Sequence, residues 1–376
     1  MSKNRKPRLP IEAHSNGSAA NHLSINLNPA RLLARLAEAA AARRITTLKN
    51  KAAAIQQTIN GDDQRDELFS ANGDGVRLRR DVLSAELEQV VAARTLERAR
   101  YYLKRLARGV EDRQTSTVND INLRRWKEYD EVITDSLWVE PRRDTAGAHT
   151  SAYWGNFIPQ IPRQLMLRYT KQNDWVLDCF LGSGTTLIEC RRLGRNGIGV
   201  ELNTDVARQT RRRIGEESNP HHVRTEVVAG DARRVKLRRL FDRVGVERVQ
   251  MVILHPPYHD IIAFSDRADD LSAAQTTEAF LQMFGEVIDN ATPLLEDGRY
   301  LAVVIGDKYE RGEWQPLGFR CMEEVLKRAY RLKSIVVKNF DATRAKRDQK
   351  QLWRYRALAG GFYVFKHEYV LLFQKK

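Results

Sequence analysis

The sequence predicts a doubly wound α/β fold preceded by an N-terminal helical arm. Three observations carry this. From about residue 175 onward, short apolar runs alternate with segments of helical spacing, the pattern of a mostly parallel sheet covered by helices. One apolar run ends in an acid and enters a glycine turn, Asp178-Cys179-Phe180-Leu181-Gly182-Ser183-Gly184-Thr185-Thr186. Residues 31–110 are instead rich in Ala, Leu, Arg and Glu at helical spacing.

Residues 1–30 are rich in Asn, Ser and Pro and cannot bury a core, so a disordered basic and polar tail is expected there. They lack the long apolar run of a secretory signal. In the arm, residues 31–119, Leu32, Leu33, Leu36 and Ala40 recur at helical spacing, as do Leu83, Leu87, Val90 and Val91. Two long helices are expected, separated by the breakers Asn60-Gly61 and Asn72-Gly73. The heptads are too irregular to fix an oligomeric state, which leaves a homodimer, DNA contact or a partner subunit open for the arm. A catalytic domain is expected over residues 120–376. Its elements run as an entry helix at 163–170, strands at 175–180, 197–201 and 223–229, and a helix at 273–295. A strand at 300–305, a helix at 316–328 and strands at 332–340 and 363–373 complete it, the last two paired at the sheet edge.

Strand, glycine turn and helix in succession place a ligand at the carboxyl edge of a parallel sheet. The spacing is neither Gly-x-Gly-x-x-Gly nor a P-loop. Glu201 ends the next strand, roughly twenty residues on, where a carboxylate can accept from a ribose diol. Asp231, after Gly230, can accept from an adenine amino group. Both acids can equally cap the helices that follow them.

About seventy residues beyond the glycine turn stands His255-Pro256-Pro257-Tyr258. The two motifs together resemble the cofactor and catalytic motifs of the DNA amino-methyltransferases, which methylate N4 of cytosine or N6 of adenine with S-adenosylmethionine. The resemblance covers residues 120–376 and implies a Rossmann-like, seven-stranded methyltransferase fold. It implies that Asp178, Phe180, Gly182, Ser183, Gly184, Thr185 and Thr186 meet the methionine end of the cofactor. Glu201, with Asn203 nearby, would take the ribose, and Asp231, with Ala232 beside it, the adenine. Trp154-Gly155-Asn156-Phe157-Ile158-Pro159 is similar to the family's entry motif, which carries Phe157 and Pro159 over as cofactor residues.

Carried onto the second motif, the resemblance makes the His255 side chain and the Pro256 carbonyl acceptors for the target amino group. Pro257 belongs to the same tetrad, and Tyr258 stacks on a base rotated out of the duplex. His255 departs from the usual Asp, Asn, Ser or Thr. A neutral imidazole accepts a hydrogen bond and an imidazolium does not, so activity is expected to fall as pH drops through the ordinary imidazole range. Cys179 replaces the family's usual proline and reads as a small packing residue. None of the three cysteines follows a proline, so the nucleophilic motif of C5-cytosine enzymes is absent. Cysteine and histidine spacings suggest no metal site.

The net charge of +15 favours a polyanionic partner. Arg344, Lys346, Arg347, Lys350, Arg354 and Arg356, interleaved with Trp353 and Tyr355, are expected to form a basic loop over 341–361 that grips DNA. The expected function is a site-specific methyltransferase on double-stranded DNA. N4 of cytosine is favoured over N6 of adenine because the first tetrad residue is not acidic. An RNA base methyltransferase and a DNA-binding relative without turnover are the alternatives. With no signal or membrane segment in the sequence, a cytoplasmic location is expected.

Overall fold

In the computed structural model, residues 24–61, 65–70, 75–265, 267–310, 312–340 and 350–376 are described. The chain divides into two compact units: residues up to 115 together with 122–130, and residues 116–121 together with 131–376.

The first unit departs from two long helices. Strand β1 (Ser24–Leu27) leads into helices α1 (Pro29–Ala41) and α2 (Ile45–Asn60). Strand β2 (Val76–Arg79) then leads into α3 (Arg80–Ala92) and α4 (Leu96–Glu111). A shift of 51 positions carries α1 onto α3 and α2 onto α4, so the unit is two copies of one strand–helix–helix plan. Asn28 caps α1 by accepting from the Arg31 amide (3.1 Å), with Pro29 in the first turn. Thr95 caps α4 in the same way (3.2 Å to Arg98). The breaks at residues 42–44 and 93–95 hold neither glycine nor proline, which is why spacing alone joined the helices. The two copies bury equivalent positions: Leu32 with Leu83, Leu36 with Leu87, Ala39 with Val90 and Ala52 with Leu103. Each copy's first helix packs more extensively on the other copy's second helix than on its own. Strand β1 also lies within the segment expected to be disordered. Its Ile25 and Leu27 are buried in this core, and residues 1–23 fall outside the described ones.

The second unit is a mixed sheet with helices on both faces. In chain order it holds β3 (Leu137–Trp138), α5 (Gln160–Tyr169), β4 (Trp175–Asp178), α6 (Thr185–Leu193), β5 (Asn196–Glu201), α7 (Thr204–Glu216) and β6 (Thr225–Ala229). There follow α8 (Leu237–Val244), β7 (Val249–Leu254), α9 (Thr277–Ala291), β8 (Leu295–Ile305), β9 (Lys308–Glu310), β10 (Glu313–Gln315), α10 (Leu317–Leu326), β11 (Tyr330–Asn339), α11 (Lys350–Gly360) and β12 (His367–Lys375). The sheet order is β3-β11-β12-β8-β7-β4-β5-β6, and β9 with β10 forms a separate ribbon. Strands β8, β7, β4, β5 and β6 are parallel, and β12 runs antiparallel between β8 and β11. The expected seven-stranded Rossmann-like sheet is therefore present. The two-residue β3 adds an eighth strand outside β11, so the β11–β12 pair is not the outermost element.

Both sheet faces are buried. On β4 and β7, Val176, Met251 and Ile253 enter one core while Leu177, Val252 and Leu254 enter the other. The order reverses between β4 and β7, and the helices that follow them, α6 and α9, pack on opposite faces. A crevice therefore opens at the carboxyl ends of β4 and β7.

Candidate functional site

The turn after β4 is held from within. The Asp178 carboxylate is buried; it accepts from the Phe180 amide (2.9 Å) and the Thr186 hydroxyl (2.5 Å). Burial raises its pKa to about 6, against those two bonds. Gly184 has φ +90°, a left-handed conformation that starts α6 without a side-chain cap. Gly182, at φ +51°, lies against the Tyr153 ring, which would stand 3.1 Å from any added Cβ. The Gly182 amide donates to Glu201 (2.9 Å), and its carbonyl accepts from the Thr210 hydroxyl (2.7 Å).

Around this turn is a cleft lined by Phe157, Phe180, Gly182, Thr185, Glu201, Asp231, Ala232, His255 and Pro257. All were singled out in the sequence. Six others do not line it: Pro159, Asp178, Ser183, Gly184, Thr186 and Asn203. Asp178 and Thr186 bond to each other, and Ser183 accepts from Asn156 (2.8 Å). Asn203 caps α7 by accepting from the amides of Asp205 and Val206. Asp178, Thr186 and Ser183 shape the turn from behind. Lining residues that were not foreseen include Tyr153, Phe264, Asp269, Asp270 and Leu271. Tyr153 and Phe264 stack at 6.3 Å, a pairing of residues too distant in sequence for any motif to signal. Glu201 is buried, which raises its pKa, and its second oxygen accepts from the Asn203 amide. Asp231 faces Arg233, whose guanidinium and amide engage both carboxylate oxygens.

His255, Pro256, Pro257 and Tyr258 follow the end of β7. His255 and Pro257 wall the first cleft and also a second, larger one, which Pro256 and Tyr258 line too. The His255 ring meets the Phe157 ring edge-on at 4.7 Å and the Tyr258 ring at 5.7 Å. Burial lowers the His255 pKa to about 4; Glu368 opposes this and Lys338 reinforces it. The imidazole is thus neutral across the physiological range. The expectation of a switch near the ordinary imidazole value is corrected: the enclosing protein moves it to about 4.

The Tyr258 hydroxyl donates to Glu368 (2.7 Å), whose other oxygen accepts from Lys338 Nζ (2.9 Å). Lys338 and Glu368 are direct partners across β11 and β12. Burial would raise the Glu368 pKa, but Lys338 and the Tyr258 bond hold it below the ordinary carboxylate value. Gly306 gives the Tyr258 ring its seat, since a Cβ there would lie 2.9 Å from the ring. Beyond the tetrad, His259 bonds the Ala274 carbonyl (2.9 Å) and Lys308 Nζ (2.7 Å). Lys338 carried no signal in the sequence.

The second cleft is bounded by Trp154, Ile261, Phe340, Trp353 and Tyr363. Of the basic loop, Arg344, Lys346 and Arg347 lie outside the described residues, as does the Lys350 side chain. The rest is not a loop. Residues 350–360 form α11, with Arg354 and Arg356 exposed and the Arg356 guanidinium 5.3 Å from the Trp353 ring.

Sheet order and cleft define a Rossmann-like methyltransferase fold, whose cofactor is S-adenosyl-L-methionine. The model of the N6/N4 DNA methylase family matches residues 87–212 and 249–376, more than half of the chain, and the chain belongs to that family. Shorter segments are similar to type II methyltransferases. The match to M.MjaII of Methanocaldococcus jannaschii is 41% identical over 51 residues, 14% of this chain and 10% of that one. The match to M1.MboII of Moraxella bovis is 48% identical over 52 residues (13% and 20%). The match to M.MthZI of Methanothermobacter thermautotrophicus is 34% identical over 113 residues (28% and 31%). The chain thus spans less than a third of the length of each of these relatives. Among solved structures, TrmN from Thermus thermophilus is similar with a TM-score of 0.40 and 17% identity, over 59% of this chain and 50% of that one. Among the described residues, no helix is long and apolar enough to cross a membrane.

Proposed function

We propose that the chain is a site-specific DNA methyltransferase that modifies an exocyclic amino group, N4 of cytosine in preference to N6 of adenine. One observation carries this reading: two clefts share the wall made by His255 and Pro257. The first cleft suits S-adenosylmethionine, with Gly182 allowing close backbone approach and Glu201 an acceptor for the ribose hydroxyls. The Asp231 carboxylate is available to the adenine amino group only in competition with Arg233. When bound, the cofactor supplies an electrophilic methyl group.

The second cleft takes the base. Tyr258, anchored through its hydroxyl, offers a ring face for stacking. Neutral His255 and the Pro256 carbonyl accept from the two amino hydrogens and draw the nitrogen lone pair out of conjugation. Preorganised acceptors and proximity supply most of what such a displacement needs. The non-acidic His255 supports cytosine. Arg354, Arg356 and Trp353 on α11 supply phosphate and stacking contacts beside this cleft.

The test is to incubate the protein with unmethylated genomic DNA and isotopically labelled S-adenosylmethionine, then analyse nucleosides by mass spectrometry. Labelled N4-methylcytosine is the expected product. N6-methyladenine would correct the base, label in RNA alone would overturn DNA as substrate, and no label in either would overturn methyl transfer to nucleic acid.

A further inference from the structure

The described residues of the duplicated N-terminal unit line neither of the two clefts. The shift of 51 positions that superposes its helices also carries Ile25, Asn26 and Leu27 onto Val76, Arg77 and Leu78. In the β1–β2 ladder Asn26 is the direct partner of Arg77. Two residues that are both repeat equivalents and ladder partners lie on the twofold axis relating the copies. The axis therefore passes through the centre of the ribbon.

The ribbon's inner face, with Ile25, Leu27 and Leu78, is buried on the four helices. Its outer face presents Ser24, Asn26, Arg77 and Arg79. Arg79 is committed to Asp81, Asp130 and the Glu128 carbonyl. Arg77 is exposed, and Asn26 makes a long bond of 3.4 Å to the Ser70 carbonyl. Main-chain groups on both outer edges are engaged: Ser70 donates to the Asn26 carbonyl (3.0 Å) and Arg125 to the Arg77 carbonyl (3.1 Å). Adding a strand from another polypeptide requires an open edge, so the surface on offer is the face.

We propose that this ribbon enters the major groove of double-stranded DNA and reads sequence through Asn26 and Arg77. Two strands about 4.8 Å apart with their side chains fit a groove about 12 Å wide, which admits a β-ribbon. Arginine matches guanine O6 and N7, and asparagine matches adenine N6 and N7, each through two bonds. The exposed Arg43 and Arg94, just ahead of α2 and α4, are repeat equivalents. A duplex has twofold axes perpendicular to its length, so paired cations of this kind meet its two phosphate backbones. The scaffold is symmetric but its readers differ, so the sequence read is not a palindrome. The inference goes beyond methyl transfer and does not rest on it.

The full chain, without cofactor, is used to select from a library of random duplex DNA, and its affinity for the selected duplex is then measured by fluorescence anisotropy at physiological salt. A non-palindromic motif should emerge. Asn26→Ala and Arg77→Ala should each weaken binding to the selected duplex about ten- to hundredfold and erase preference at one position, with affinity for unrelated duplexes unchanged. Melting followed by circular dichroism confirms that both variants fold. The proposal is overturned by an unaltered motif in both variants, by no motif for the parent chain, or by equal affinity for double-stranded RNA of the same sequence, whose narrow major groove excludes a ribbon. Motif loss in the variants, with no methyl transfer by the parent, would keep the ribbon reading and sink the methyltransferase one. Sequence-specific methylation indifferent to both substitutions would do the reverse.

Discussion

At the scale of residues, the tetrad depends on neighbours that no motif names. With a pKa of about 4 against an ordinary 6.5, His255 has a depressed folded-state value. Its contribution to stability is full above about 6.5 and is lost as pH falls through about 4. Asp178 runs the other way: its value is raised to about 6, so the folded state binds its proton first and gains stability as pH falls from about 6 to 4. Acid unfolding therefore mixes two opposed effects, and the rate profile is the cleaner probe. With His255 as acceptor, the rate at saturating substrate should be flat between about pH 5.5 and 8 and fall only near pH 4. A fall centred near pH 6.5 would show that the imidazole is not enclosed as described. Tyr258→Phe and Tyr258→Ala separate anchoring from stacking. The phenylalanine variant leaves a buried Glu368 oxygen without its donor and should lower stability by about 1–3 kcal/mol while base binding persists. On the proposed function, the alanine variant should in addition weaken binding of the target base by about 1–3 kcal/mol. Thermal melts and titration with an abasic-site duplex as reference measure the two quantities.

At the scale of elements, the turn after β4 shows how a motif divides between lining and support. Gly182 and Glu201 face the cleft, while Asp178, Thr186 and Ser183 fix the path of the backbone behind it. Residue type alone does not separate these roles, because a carboxylate can hold a ligand or its own loop. The helical unit offers a second test. Leu36 and Leu87 are repeat equivalents and both fully enclosed. Leu36→Ala and Leu87→Ala should each destabilise this unit by about 2–5 kcal/mol, in urea titrations, with similar losses. A large loss at one and none at the other would show that the two copies do not share one core. Periodicity found the apolar positions of these helices but joined them, since their breaks hold no turn residue. The repeat itself escaped because the copies keep burial rather than identity: Ala39 matches Val90, and Ala52 matches Leu103.

At the scale of the whole molecule, the charge of +15 sets how the chain meets a polyanion. Affinity for non-specific duplex DNA should fall linearly with the logarithm of salt concentration as condensed counterions are released. Arg354→Ala combined with Arg356→Ala should reduce that slope by about two contacts while leaving cofactor affinity unchanged. An unaltered slope would remove α11 from the phosphate interface. Anisotropy titrations across a salt series provide the measurement.

The sequence by itself determined the order of the motifs, the sheet they belong to and the acids Asp178, Glu201 and Asp231 at or just beyond the ends of β4, β5 and β6. Those are local matters: a strand, a turn and a helix are encoded within a few residues, and the motif residues lie beside one another in the chain. Only the tertiary structure decided that His255 is neutral, because burial lowers its pKa and Lys338 reinforces this against the opposing pull of Glu368. It alone brought Glu368 to Tyr258, 110 residues away, since β12 pairs with β8 so that Tyr369 stands opposite Ile305, next to the Gly306 that seats the Tyr258 ring. The Asn26–Arg77 axis is of the same kind. Each strand is unremarkable alone, and the symmetry exists only once the two are paired.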